Sequence, residues 1–203
     1  MKRTDLKHIS LLFLTLLLFL PLFSSLADTT EAEFTFRVCE DGSAALLSYT
    51  GTGKNVTIPE KIDSHPVSLI ESNCFLSSEK LTTVLIPFPV TIRSAAFSSC
   101  EALCQVIFLS DPRENIDIDF LSNCPEATLY ICQDCESLLS FAAENSIPFT
   151  AFDTLYIANV KTKKLHLSDC SSVKDMSEKN KLFLFDRDAA LSLGLVPCKR
   201  CSP

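Results

Sequence analysis

The sequence predicts a β-rich α/β chain: a short solenoid of stacked strands with a helical end cap, followed by a small α/β domain built around a ligand cluster. Three observations predict it. Apolar residues recur at a spacing of 22, so that Ile70, Phe75, Leu81 and Val84 return as Ile92, Phe97, Leu103 and Val106. The charge changes sign at one point: residues 28–153 hold 6 basic and 19 acidic residues, net −13, and residues 154–203 hold 9 and 5, net +4. Finally, His166-x3-Cys170 and Cys198-x2-Cys201 form two close ligand pairs with 27 residues between them, a spacing suited to one tetrahedral metal ion.

Residues 1–27 are expected to be a secretory signal, removed before the fold matters. Lys2, Arg3 and Lys7 form a basic start and Ile9 to Phe23 an apolar run. Ser25-Leu26-Ala27 then supplies the small residues a signal peptidase reads. The run is shorter than the roughly 20 residues a membrane span needs, and Pro21 interrupts it. The reading is therefore a secreted or cell-surface protein with no transmembrane segment after cleavage. An acidic solenoid would repel nucleic acid and anionic lipid, which leaves the basic tail as the part able to meet a polyanion.

Phe34 to Val38 alternates apolar and polar, turns at Asp41-Gly42 and resumes at Ala45-Leu46-Leu47: strand, turn, strand. Gly51-Thr-Gly53 is a second turn, and Val56-Thr-Ile58 a short strand stopped by Pro59. The 22-residue unit follows. A third, degenerate copy is read from Leu121-Ser-Asn-Cys124 to Leu129-Tyr-Ile131, offset by 24. A period of this length with one strand per unit is the mark of a leucine-rich-repeat solenoid, in which each unit buries its apolar face only against its neighbours. Glu136 to Asn145 places Leu138, Leu139, Phe141 and Ala142 on one side of a helix with Asp134 as N-cap, expected to close the open end of the array.

The units resemble the BspA-type leucine-rich repeats of bacterial surface proteins. The residues that carry the likeness are Ile-x4-Phe with a small residue or Cys three on (Phe97-Ser-Ser-Cys100) and Leu81-x2-Val-x-Ile-Pro87. The resemblance spans about Phe34 to Phe149 and implies adhesion or recognition, with an unknown protein or glycan ligand on the repeat surface.

The ten cysteines fall into three groups. Cys100 and Cys124 stand at equivalent points of successive units. Adjacent strands lie about 4.8 Å apart, near enough for a bridge, although a buried free thiol acting as a small hydrophobe is the favoured state. Cys132-x2-Cys135 invites a redox reading, but it follows the end of a repeat rather than opening a helix inside a βαβ unit, so a structural pair is expected. Cys39, Cys74 and Cys104, which make up the second group with that pair, carry no role from the sequence. The third group is the tail's.

In the tail, Leu155 to Val160 and Lys164 to Leu167 read as a hairpin leading to Cys170. Leu182 to Phe185 is a short strand, and Asp186 caps a helix from Arg187 to Leu193 with Gly194 beyond it. About 50 residues bury too little core to stand alone, and a structural metal commonly makes up the deficit. The expected cofactor is Zn²⁺ on His166, Cys170, Cys198 and Cys201, with Lys199 and Arg200 offsetting the net negative charge of the site. A Cys198–Cys201 disulfide in an oxidising compartment is the competing reading. His8 and His65 have no partners in the pattern.

Ala189-Ala-Leu-Ser-Leu-Gly194-Leu-Val-Pro197-Cys198-Lys-Arg-Cys201-Ser-Pro203, with the hairpin before it, resembles the zinc-binding domain of the Ada family of DNA methyl-phosphotriester acceptors. That family opens its site with Cys-x3-Cys and uses the first cysteine to accept the methyl group. His166 stands at that position here. The resemblance therefore implies the zinc framework without the soft thiolate the transfer needs. The expectation is a non-enzymatic protein with domains at 28–153 and 154–203. Polyanion binding by the tail (extracellular DNA or an anionic wall polymer) is the alternative, and methyl-phosphotriester repair a remote one.

Overall fold

In the computed structural model residues 33–114 and 116–203 are described, and the signal expected over residues 1–27 lies outside them. Among the described residues no helix is long and apolar enough to cross a membrane. Strands β1 (Phe34–Val38) and β2 (Ala44–Tyr49) pair antiparallel across the Asp41-Gly42 turn. Gly42 sits at φ +81°, where an L side chain would be strained, and Asp41 accepts both the N–H and the hydroxyl of Ser43. The chain then winds through β3 (Asn55–Thr57), β4 (Lys61–Ile62), β5 (His65–Ile70), β6 (Thr83–Ile86), β7 (Thr91–Ile92), β8 (Gln105–Phe108) and β9 (Thr128–Cys132). Helix α1 (Glu136–Glu144) and strand β10 (Phe149–Phe152) complete about five turns of a β-solenoid.

Its main sheet is parallel, in the order β10-β9-β8-β6-β3. Register makes the stacking explicit. Val56, Val84, Val106 and Leu129 form one inward column, and Ile86, Phe108 and Ile131 a second. All seven are essentially without exposure. Opposite the sheet, Phe75, Phe97 and Phe120 form an aromatic column, with ring centroids 4.7 Å and then 6.4 Å apart. Each such buried ring contributes on the order of 2–3 kcal/mol. Phe34 and Tyr49 of the hairpin lie against Phe75 and close the column at the N-terminal end.

The third copy is irregular in a definable way. Strand pairing of Gln105 with Thr128 gives an offset of 23, as does the step from Phe97 to Phe120, whereas Cys100 to Cys124 gives 24. One extra residue enters between Phe120 and Cys124 and one is lost before β9. Phe120, not Leu121, therefore takes the fully buried ring position, a correction to the alignment read from sequence.

The end of the array also differs from expectation. Helix α1 buries Leu138 and Ala142, but the chain then adds β10 parallel to β9, so the last element of the sheet is an edge strand and not the helix. Nor is Asp134 the cap: Cys135 occupies the N-cap position with no side-chain bond. Asp111, from the preceding turn, accepts the N–H of Leu138 at 2.9 Å. A distant carboxylate does what a neighbouring one was expected to do.

The tail folds into β11 (Tyr156–Asn159), β12 (Lys164–Leu167), α2 (Ser171–Lys174), a 3₁₀ turn (Glu178–Asn180), β13 (Lys181–Leu184), α3 (Arg187–Ser192) and β14 (Val196–Pro197). Its sheet runs β13-β11-β12-β14. On one face Ala158 and Leu165 pack under Ala190 and Leu195 of the α3 region. On the other, Ile157 and Phe183 share an apolar cluster with Leu85, Ile107 and Tyr130, the outward-facing residues of the solenoid sheet. Tyr130 and Phe185 stack at 4.3 Å and 10°, and Phe152 lies against Phe185. At the rim, Asn55 Nδ2 donates to the Lys181 carbonyl at 2.7 Å and Thr57 donates to Glu178. The tail covers the sheet face.

Candidate metal centre

Four side chains reach one point from two loops. His166 lies on β12, on the same face as Ile157 and Phe183, its partners across the sheet. Cys170 ends the following turn and stands at the N-cap of α2. Cys198 and Cys201 lie in the turn after β14, which pairs parallel with β12 through Leu165 and Pro197. That pairing, extended by the Cys198 N–H to the Leu165 carbonyl at 2.8 Å, is what carries the second ligand pair to the first. Local chain signals deliver it there. Asp186 caps α3 through the N–H of Ala189. Gly194, at φ +80°, ends the helix with Gly194 N–H to Leu191 O and Leu195 N–H to Ala190 O, the double closure of a Schellman motif.

The ligand atoms of His166, Cys170, Cys198 and Cys201 all lie within 4.8 Å of one another. A tetrahedral ion with bonds of 2.0–2.3 Å sets its ligands roughly 3.3–3.8 Å apart, so these groups are within a small side-chain adjustment of a shared ion. Two features fit a cation. Nδ1 of the buried His166 has no hydrogen-bond partner among the described residues, a costly condition that metal ligation or its second-shell partner relieves. The sulfurs are also set up as thiolate acceptors, with Leu167 N–H directed at Cys201 and Arg200 N–H at Cys198.

The N–H groups of Arg200 and Cys201 draw the Cys198 thiol below its ordinary value. Burial and the adjacent Cys170 and Cys198 sulfurs push Cys201 up to about 11. Burial, with the Lys164 charge, lowers His166 and keeps its imidazole neutral, the form that ligates. Packed thiolates repel one another, and a divalent ion among them removes that repulsion. One imidazole and three thiolates form a donor set for a metal that accepts nitrogen and sulfur in tetrahedral array.

The remaining site residues divide clearly. All ten cysteines are unbridged, Cys198 and Cys201 included. Arg200 donates to Ser171 Oγ at 2.7 Å, tying the second ligand turn to the start of α2, while Lys199 is exposed. Cys135 does stand at the start of α1, yet burial and the Asp111 charge push its thiol up to about 12, the opposite of an activated nucleophile. His65 donates from Nδ1 to the Gly42 carbonyl at 2.8 Å, a turn-fastening role; His8 lies outside the described residues. The sequence did not disclose that Cys170, Cys198 and Cys201 share one apolar cluster with Leu85, Ile107 and Tyr130. The outward Leu85 and Ile107, apolar where a free solenoid face carries polar residues, were the available signal. Comparisons with protein-family models, curated proteins and solved structures find no match to this chain.

Proposed function

We propose that the protein is an exported, non-enzymatic binding protein in which Zn²⁺, held by His166, Cys170, Cys198 and Cys201, fixes an Ada-like C-terminal module (154–203) onto a BspA-type leucine-rich solenoid (28–153). The observation that carries this reading is the shared cluster: the ligand cysteines pack with the residues that seat the tail on the sheet. The ion then stabilises the module and its docking together. Structural zinc contributes on the order of 10 kcal/mol in small peptides, enough to order a segment with so little core of its own. With the sheet face occupied, a protein or glycan ligand is left the loop side of the coils. There a cleft of 490 Å³ runs between Ser77, Glu79, Ser99 and Glu101.

The purified protein is expected to carry one zinc ion per chain, with all three tail thiols protected from alkylation until chelator is added. Chelation should lower the melting temperature. Metal-free protein whose melting curve ignores chelator would refute the reading.

Polyanion binding remains a second reading because Lys161, Lys163, Lys199 and Arg200 are all exposed, with Lys164 half-buried beside them. Binding of the full chain to DNA should then weaken steeply with salt; affinity unchanged by salt would exclude counterion release. The remote reading, methyl-phosphotriester acceptance, lacks its nucleophile, since imidazole stands in place of the accepting thiolate.

A further inference from the structure

Two cysteines outside the metal centre are paired by the winding of the solenoid. Cys100 and Cys124 occupy the same place on successive coils: Cys100 Sγ donates to Phe75 O at 2.9 Å and Cys124 Sγ to Phe97 O at 2.9 Å. The coils are tied beside them by Ser99 N–H to Ser122 O at 2.8 Å. Coils of such a stack lie about 4.8 Å apart where their strands pair, and a disulfide spans a Cα separation of roughly 4.4–6.8 Å; Cys100 and Cys124 stand at matching points of the turns between those strands. The two sites differ in access, because Cys100 is wholly buried and Cys124 only half-buried.

They differ in chemistry as well. The neighbouring Cys100 thiol, with the backbone N–H groups of Cys100 and Ser99, draws the Cys124 thiol down to about 7, against the opposing effect of burial. The Cys124 sulfur and burial together raise Cys100 well above the ordinary thiol range. One member is the more accessible and the more easily ionised thiol. The other is a buried thiol on the adjacent coil.

We propose that Cys124 and Cys100 form a thiol–disulfide exchange pair across adjacent coils, with Cys124 as the attacking thiol and Cys100 as the resolving one. The Cys124 thiolate attacks a low-molecular-weight disulfide, forming a mixed disulfide and releasing one small thiolate. Cys100 then attacks the Cys124 sulfur and loses its proton to the departing group, which leaves as the second small thiol. The chain gains one coil-to-coil S–S bond and the small disulfide is reduced to two thiols. The reaction runs backwards when reduced small thiol is in excess. It requires neither the metal nor the tail.

The test uses the full chain, first reduced with its tail metal retained and then incubated at pH 7.5 with oxidised glutathione. Acid quenching, alkylation and peptide mapping under non-reducing conditions follow. The expected result is a Cys100–Cys124 linked peptide and loss of both residues from the alkylated pool, reversed by excess reduced glutathione. Cys100→Ser should accumulate a stable glutathione adduct on Cys124, and Cys124→Ser should leave Cys100 reduced. Finding Cys100 and Cys124 both alkylated after equilibration of the wild-type chain would overturn the proposal, and that measurement depends on no variant folding. So would a Cys124→Ser chain in which Cys100 takes up glutathione as fast as Cys124 does in the native protein.

Discussion

Tyr49 shows how one side chain joins local packing to pH. Its ring lies 5.1 Å from both Phe34 and Phe75, and its hydroxyl donates to Glu33. Burial, reinforced by the Glu33 charge, pushes the phenol up to about 12. A pKa raised on folding means that the contribution to stability is complete below the unfolded value near 10 and is lost as pH rises through about 12. Cys74, raised by burial to about 12, adds to the same alkaline limb from an unfolded thiol near 9. Alkaline unfolding is therefore expected in this window, with Tyr49 among the last phenols to ionise by ultraviolet titration. Tyr49→Phe should move the transition to higher pH; a transition left in place would detach it from this residue. For the candidate metal ligands His166, Cys170, Cys198 and Cys201, identity and spacing were legible in the sequence because two turns each supply a local pair. The convergence of those pairs was not, since it depends on β12 and β14 lying side by side.

At the scale of the element, α1 is the informative case. Its apolar spacing predicted the helix to within a residue, because a buried stripe of Leu138 and Ala142 follows from periodicity alone. Its cap did not follow. Asp134 is near in sequence, but Asp111 is the residue whose carboxylate reaches the Leu138 N–H. Asp111→Ala should cost about 1 kcal/mol, roughly 2–4 °C in melting temperature for a chain of this size. Asp134→Ala should leave the melting curve nearly unchanged, and equal losses from the two would reject the assignment. Helix α3 is the contrast: Asp186 and Gly194 close it from within its own segment, so both ends were readable before any fold was known.

For the whole molecule the decisive contact is the one between the sheet face and the tail. Leu85, Ile107 and Tyr130 point away from the solenoid core, yet Leu85 and Ile107 are buried because Ile157, Phe183 and Phe185 cover them. A double-mutant cycle on Tyr130→Ala and Phe185→Ala should give a coupling of about 1 kcal/mol in chemical unfolding, as expected of a stacked aromatic pair. Strictly additive losses would mean that the two halves do not hold each other. By itself the sequence determined the repeat, the hairpins, helices α1 and α3, and the four residues that could share a metal ion, all of which depend on residues close together in the chain or on a fixed period. The tertiary structure decided which residue caps α1, which ring completes the aromatic column, and that the tail lies on the solenoid sheet. Those outcomes depend on surfaces brought together from distant parts of the chain, and apolar burial, being non-directional, leaves no local pattern to say which surface will cover which.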